Sequence, residues 1–154
     1  MTPADASTQC RFLARCAREY GALWPKQSSR SYPGEHLVRT AYSAYRVVDG
    51  RCIVVQRAGR PEEEDEHECL GTHLVGYLVR HENPLGARWT LHRSPRPEAK
   101  AVFWRPTPDG HGHFVVTSRL ASGVGVSTPT GTVAAVARSA PPPLPSRAGA
   151  RARA

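Results

Sequence analysis

Arg46-Val47-Val48-Asp49-Gly50-Arg51-Cys52-Ile53-Val54-Val55 sets an Asp-Gly dipeptide between two β-branched runs. A two-residue hairpin loop needs positive φ at its central residues, and Asp-Gly adopts that conformation at small steric cost. The stretch therefore predicts two antiparallel strands joined by a tight turn. Working outward, Asp109-Gly110 and Thr130-Gly131 punctuate later runs in the same way, and Asn83-Pro84-Leu85-Gly86 predicts a wider turn. Between Glu35 and Ser139 about eight strand-like runs follow: 36–48, 51–58, 70–80, 87–93, 99–105, 112–120, 123–128 and 131–138.

Several of these runs are apolar on both faces. Ile53, Val54 and Val55 are consecutive, as are Leu74 and Val75, Leu78 and Val79, and Val115 and Val116. Others alternate: Trp89 and Leu91 point one way, Arg88, Thr90 and His92 the other. Consecutive hairpins with mixed faces predict a mainly β fold, an antiparallel meander forming a closed or partly open barrel of about eight strands, because closure removes exposed edges. Ahead of it, Phe12, Leu13, Cys16 and Tyr20, with Gln9, recur at helical spacing, which predicts one amphipathic helix over 5–20. Asp5 or Ser7 can cap its start, Gly21 can end it, and Pro25 forbids its continuation. Its apolar stripe must pack on the sheet or close an open barrel end. The organisation read from these signals is helix and connector over 1–35, a β domain over 36–138, and a Pro/Arg-rich tail over 139–154 with too little apolar surface to fold.

The chain has 154 residues, one domain's length, and enough apolar surface for a core. Trp24, Trp89, Trp104, Phe12, Phe103 and Phe114 are spread along it, as expected if several segments share one core. The formal charge is +8, yet six of the thirteen carboxylates fall in Glu62–Glu68, so the remainder is far more basic than the total suggests. No acid follows Asp109. Such a balance favours polyanionic partners, nucleic acid among them. Cys10, Cys16, Cys52 and Cys69 form no Cys-x-x-Cys pair, and Cys10 and Cys16 read as small buried hydrophobes of the helix. Without a membrane-length apolar stretch or a secretory leader pattern, the expectation is a soluble, cytoplasmic protein with reduced thiols.

Four clusters carry chemistry on paper. Glu62–Glu68 is an acidic run, but consecutive carboxylates splay outward instead of converging on a cation, so a solvated loop is expected. His67, Cys69 and His73 give a His-x-Cys-x₃-His spacing, with Cys52 on the neighbouring strand; zinc takes such ligands, but no second paired motif completes the set. His111 and His113 flank a glycine in a turn. Glu98-Ala99-Lys100 matches half of a metal-dependent nuclease core without the second acid that such chemistry needs. In the tail, Pro142-Pro143-Leu144-Pro145-Ser146-Arg147 fits a Pro-x-x-Pro-x-Arg docking pattern. No metal and no cofactor is expected.

Gly21-Ala22-Leu23-Trp24, Tyr32-Pro33, Gly50, Gln56-Arg57 and Gly76-Tyr77-Leu78-Val79-Arg80 occur in an order that resembles the nitrobindin group of fatty-acid-binding-protein-like barrels. The resemblance covers residues 12–120 and implies a β-barrel container. Haem-binding members ligate iron through a His on a late strand; no His follows His113 here, so that route does not carry over.

The function expected from these readings is a small binding module, not an enzyme, whose barrel takes an apolar or amphipathic small ligand. Trp24, Tyr77, Trp89 and Trp104 are its expected walls, with Arg57 or Arg80 near the mouth to meet an anionic head group. The alternatives are a basic accessory protein that binds nucleic acid through its Arg-rich face and tail, and an adaptor using the proline-rich tail. The oligomeric state stays open.

Overall fold

The computed structural model describes residues 2–60, 62, 65–109, 112–121 and 126–127. The strand expected at 131–138, most of that at 123–128, His111 and the proline-rich tail lie outside the described residues. Two helices precede the sheet: α1, Pro3–Tyr20, and α2, Trp24–Ser31. The cap of α1 is Thr2, neither of the two residues expected. Asp5 N–H donates to Thr2 Oγ1 at 3.1 Å and the Asp5 carboxylate accepts from Thr2 N–H, a reciprocal capping box. The connector expected between the helix and the β domain is corrected to helix for most of its length. Pro25 sits in the first turn of α2, where a residue without an N–H forfeits nothing, so it starts a helix as well as ending the previous one. Gly21 keeps helical dihedrals, and the chain turns the corner between helices through Leu23.

Among the described residues eight strands follow: β1 Glu35–Arg39, β2 Ser43–Val48, β3 Arg51–Arg57, β4 His73–His81, β5 Arg88–His92, β6 Lys100–Arg105, β7 His113–Arg119 and β8 Val126–Ser127. The run expected at 36–48 is two strands, not one. Thr40 breaks it: its Oγ1 accepts the N–H groups of Tyr42 and Ser43, and its own N–H donates to Ser43 O. That hydroxyl-built turn leaves no glycine or proline signal. At the next turn Asp49 and Gly50 have φ of 50° and 84°, as the Asp-Gly reading requires.

All pairings are antiparallel, in the order β7-β6-β4-β3-β2-β1-β8, with β5 against β4 beside that path. Register shifts at Arg46/Val47, Leu74/Gly76 and Lys100/Val102 bend the strands. The shift near Gly76 lets Leu74 and Tyr77, three residues apart, both turn inward, while Val75 and Leu78 face out. The curl brings the last strands to the first. Leu120 bridges Thr40, Ala121 N–H donates to Arg39 O at 3.0 Å, and β8 pairs with β1. Among the described residues no continuous ladder joins β7 to β1, so the meander is a partly open barrel.

There are two cores, where one was expected. Inside the curl Val38, Val47, Val55, Leu74, Tyr77 and Phe103 are fully buried. Outside it Leu13 of α1 packs on Leu78, Trp89 and Val102, so α1 lies along the outer face instead of closing a barrel end. Cys52 and Cys69 are buried, whereas Cys10 is exposed and Cys16 half-buried, which corrects the expectation for the helical pair. No described helix is long and apolar enough to cross a membrane.

β4 pairs with β3 at one residue pair, Arg51 with His73, and then departs. Ser28 of α2 fills the gap. Its Oγ lies 2.9 Å from Gly50 O and 2.7 Å from Leu74 O, with its proton shared between them. A Cβ at Gly50 would sit 2.1 Å from Ser28 Oγ and 2.6 Å from the Ser28 carbonyl. Gly50→Ala is expected to destabilise the protein by about 2–4 kcal/mol through combined backbone strain and overpacking. Ser28→Ala is expected to cost about 1–2 kcal/mol, the loss of one buried hydrogen-bonding group. Urea unfolding of both variants checks the order; an equal or reversed ranking would mean that α2 does not press on this turn.

Candidate functional site

The six residues expected to form one ligand pocket are dispersed. Trp24 and Trp104 meet edge-on at 5.3 Å and stack with Phe114, but on the outer face beneath the corner between the helices. Trp104 reaches that position over Gly112, where φ is 76° and an added Cβ would stand 1.6 Å from the indole ring. Trp89 belongs to the cluster under α1, and Tyr77 to the interior. Arg80 is held by Asp5 at 3.1 Å and Glu82 at 2.5 Å. Arg57 ends β3 in solvent. Period-2 logic explains the split: Tyr77 and Phe103 alternate with Leu78 and Trp104, so aromatics adjacent in sequence face opposite layers.

A cleft of about 430 Å³ does form, between α2 and the end of the β4–β5 pair. Trp24, Val75 and Leu91 supply its apolar wall; Arg30, Ser31, His92 and Arg93 supply its polar rim. The helix brings Trp24, Ser28 and Ser31 to the sheet at helical spacing, and that spacing in Trp-Pro-Lys-Gln-Ser-Ser-Arg-Ser was the signal available for finding it. The floor is fixed by Tyr32, whose hydroxyl donates to Arg93 O at 2.6 Å and whose burial pushes it well above the usual phenol range. No described carboxylate pairs with the guanidinium of Arg30 or Arg93.

His92 continues into a polar chain on the concave side of the β4–β5 pair. Thr90 Oγ1 lies 2.7 Å from His81 Nε2 and 2.8 Å from His92 Nε2. One hydroxyl has one proton, so while both imidazoles are neutral Thr90 donates to one ring and accepts from the other. Desolvation, followed by Arg96 and His81, holds His92 below the usual imidazole range.

The other clusters do not assemble. His67 Nδ1 accepts Cys69 N–H at 3.0 Å, which orients that ring toward the backbone. Cys69 Sγ faces Thr72 and Cys52, and burial drives its thiol far upward. His73 Nδ1 is buried with no described partner, and desolvation lowers that imidazole. Among the described residues no three His, Cys, Asp or Glu side chains come together as a metal site would require. Of the acidic run, Glu68 reaches His113 at 3.3 Å. Glu98 bonds Arg119 at 2.7 Å.

His92 is expected to titrate below ordinary histidines. The unfolded chain then binds more protons in that window, so this residue's contribution to stability is present above the ordinary imidazole pKa and is lost as pH falls below it. Arg96→Gln removes a source of repulsion smaller than desolvation and is expected to raise the His92 midpoint, read by NMR titration. An unmoved midpoint would mean that the Arg96 guanidinium does not reach the ring.

Comparison of the chain with protein-family models, with curated proteins and with solved structures gave no match, so its function has to be argued from the cleft itself.

Proposed function

We propose that the protein is a non-enzymatic binding module for a small amphipathic anion, seated in the cleft between α2 and the β4–β5 pair. The observation that carries this reading is the pairing of an apolar wall with two guanidiniums, Arg30 and Arg93, that no described carboxylate neutralises. An apolar body against Trp24, Val75 and Leu91 leaves its anionic end between two forks suited to carboxylate or phosphate. The volume of about 430 Å³ lies within the range of small-molecule sites. The interior of the curl is a poorer candidate, because Tyr77, Phe103 and the surrounding valines already occupy it. The ligand class is the one expected from the sequence; its seat moves from the inside of the barrel to its flank.

Titration with a fluorescent amphipathic anion, such as a dansylated fatty acid, tests the reading. Saturable uptake at one site is expected, and Arg30→Gln or Arg93→Gln is expected to weaken it about tenfold, the loss of one charge-assisted hydrogen bond. Uptake that is absent, or indifferent to both variants, would overturn it. Nucleic-acid binding through the same arginines would instead give affinity that falls steeply with salt and shows no preference for a probe with an apolar body.

A further inference from the structure

The chain carries nineteen arginines and only two lysines, Lys26 and Lys100. Lys26 is exposed on α2. Lys100 opens β6 on the outer face, in register with Leu78 on one side and Arg119 on the other. It lines a second cleft, of about 380 Å³, beneath the start of α1, with Asp5, Arg80, Trp89, Glu98 and Arg119 around it.

The charges in this cleft are sorted into pairs that leave the amine out. Asp5 and Glu82 take Arg80, and Glu98 takes Arg119. The Lys100 ammonium makes no ion pair or side-chain hydrogen bond with any described residue. Glu98, whose φ is 66°, also lines the cleft. Desolvation, and then the Arg119 guanidinium, lower the Lys100 pKa. An arginine at this position would stay charged and could not act as a nucleophile, whereas desolvation beside another cation shifts a lysine toward its free amine.

We propose that Lys100 is a carbonyl-reactive amine that captures a small aldehyde with an apolar body as an imine, the body lying against Trp89. The Nζ lone pair attacks the carbonyl carbon, a C–N bond forms, and the carbonyl oxygen becomes a hydroxyl. The oxygen then leaves as water with the two hydrogens of the amine, and nitrogen and carbon are joined by a double bond. One amine and one aldehyde give one imine and one water, with no oxidant or reductant consumed. Asp5 and Glu98 are the carboxylates nearest for moving protons, and Arg119 is the cation that disfavours the ammonium form. The site is separate from the Arg30/Arg93 cleft and does not depend on it.

The test uses the intact protein at neutral pH with benzaldehyde, trapped by cyanoborohydride and mapped by peptide mass spectrometry. Lys26 serves as the internal reference. Labelling at Lys100 is expected to be at least about fivefold faster than at Lys26, as for an activated amine against an ordinary one. The preference is expected to vanish in denaturing urea, and Lys100→Arg is expected to abolish the label while leaving anion-probe uptake at the other cleft unchanged. Equal labelling of the two lysines, or a preference that survives unfolding, would overturn the proposal. Loss of anion-probe binding alone would bear on the other cleft and not on this one.

Discussion

The contact between Ser28 and the Gly50 turn is the constraint on which the arrangement depends. A sheet strand that leaves its neighbour exposes a row of unpaired backbone groups, and β4 leaves β3 after a single residue pair. Gly50 O accepts both the Leu74 N–H at 2.7 Å and the Ser28 hydroxyl, so one turn carbonyl ties β4 and α2 to the β2–β3 hairpin. A side chain on residue 50 would hold the helix away. With α2 seated, Trp24 falls on Trp104, the corner at Leu23 is fixed, and α1 is laid across β4, β5 and β6. The flank of α2 that does not touch the turn then faces Val75 and Leu91, which is why a cleft exists there.

The second determinant is how large and small side chains are divided between the layers. Inside the curl Ala99 and Ala101 leave room for the rings of Tyr45, Tyr77 and Phe103, with Tyr45 and Phe103 centroids 5.7 Å apart. Small barrels are filled by such alternation, and what they gain in packing they lose as ligand space. The outer face takes Trp89, Trp104 and Phe114 and covers them with helices. The clefts therefore lie between layers, where a helix meets a sheet at an imperfect angle.

How much of this was legible in the sequence follows from the range of each interaction. The Asp49-Gly50 turn, the alternation of Trp89 and Leu91 against Thr90 and His92, and the antiparallel meander are local consequences of backbone geometry, and local sequence carries them. The Thr40 turn was hidden because a hydroxyl did the work usually given to Gly or Pro. The second helix was hidden because Pro25 reads equally as a stop and as a first-turn residue. Arg30 and Arg93 could not be placed together from sequence at all: they stand sixty-odd residues apart and line one cleft because Ser28 docks where β4 departs. The aromatics are divided between the layers for a local reason, since neighbours along a strand such as Phe103 and Trp104 face opposite sides of the sheet.

Charge completes the division of labour. Glu35 takes Arg46 and joins β1 to β2, Asp5 takes Arg80 and pins α1 to β4, and Glu98 takes Arg119 and ties the entry of β6 to β7. Each is a solvent-facing pair worth little in stability, so their effect is chiefly to fix which cations are spoken for. With so few acids outside Glu62–Glu68, many cations have no described carboxylate partner, and two clefts hold such cations of different character. At the α2 cleft the cation is guanidinium, a permanent charge suited to holding an anion at any physiological pH. At the α1 cleft it is a single amine, whose charge can be given up. One fold thus sets a fixed positive charge beside α2 and a titratable one beneath the start of α1, each against an apolar wall.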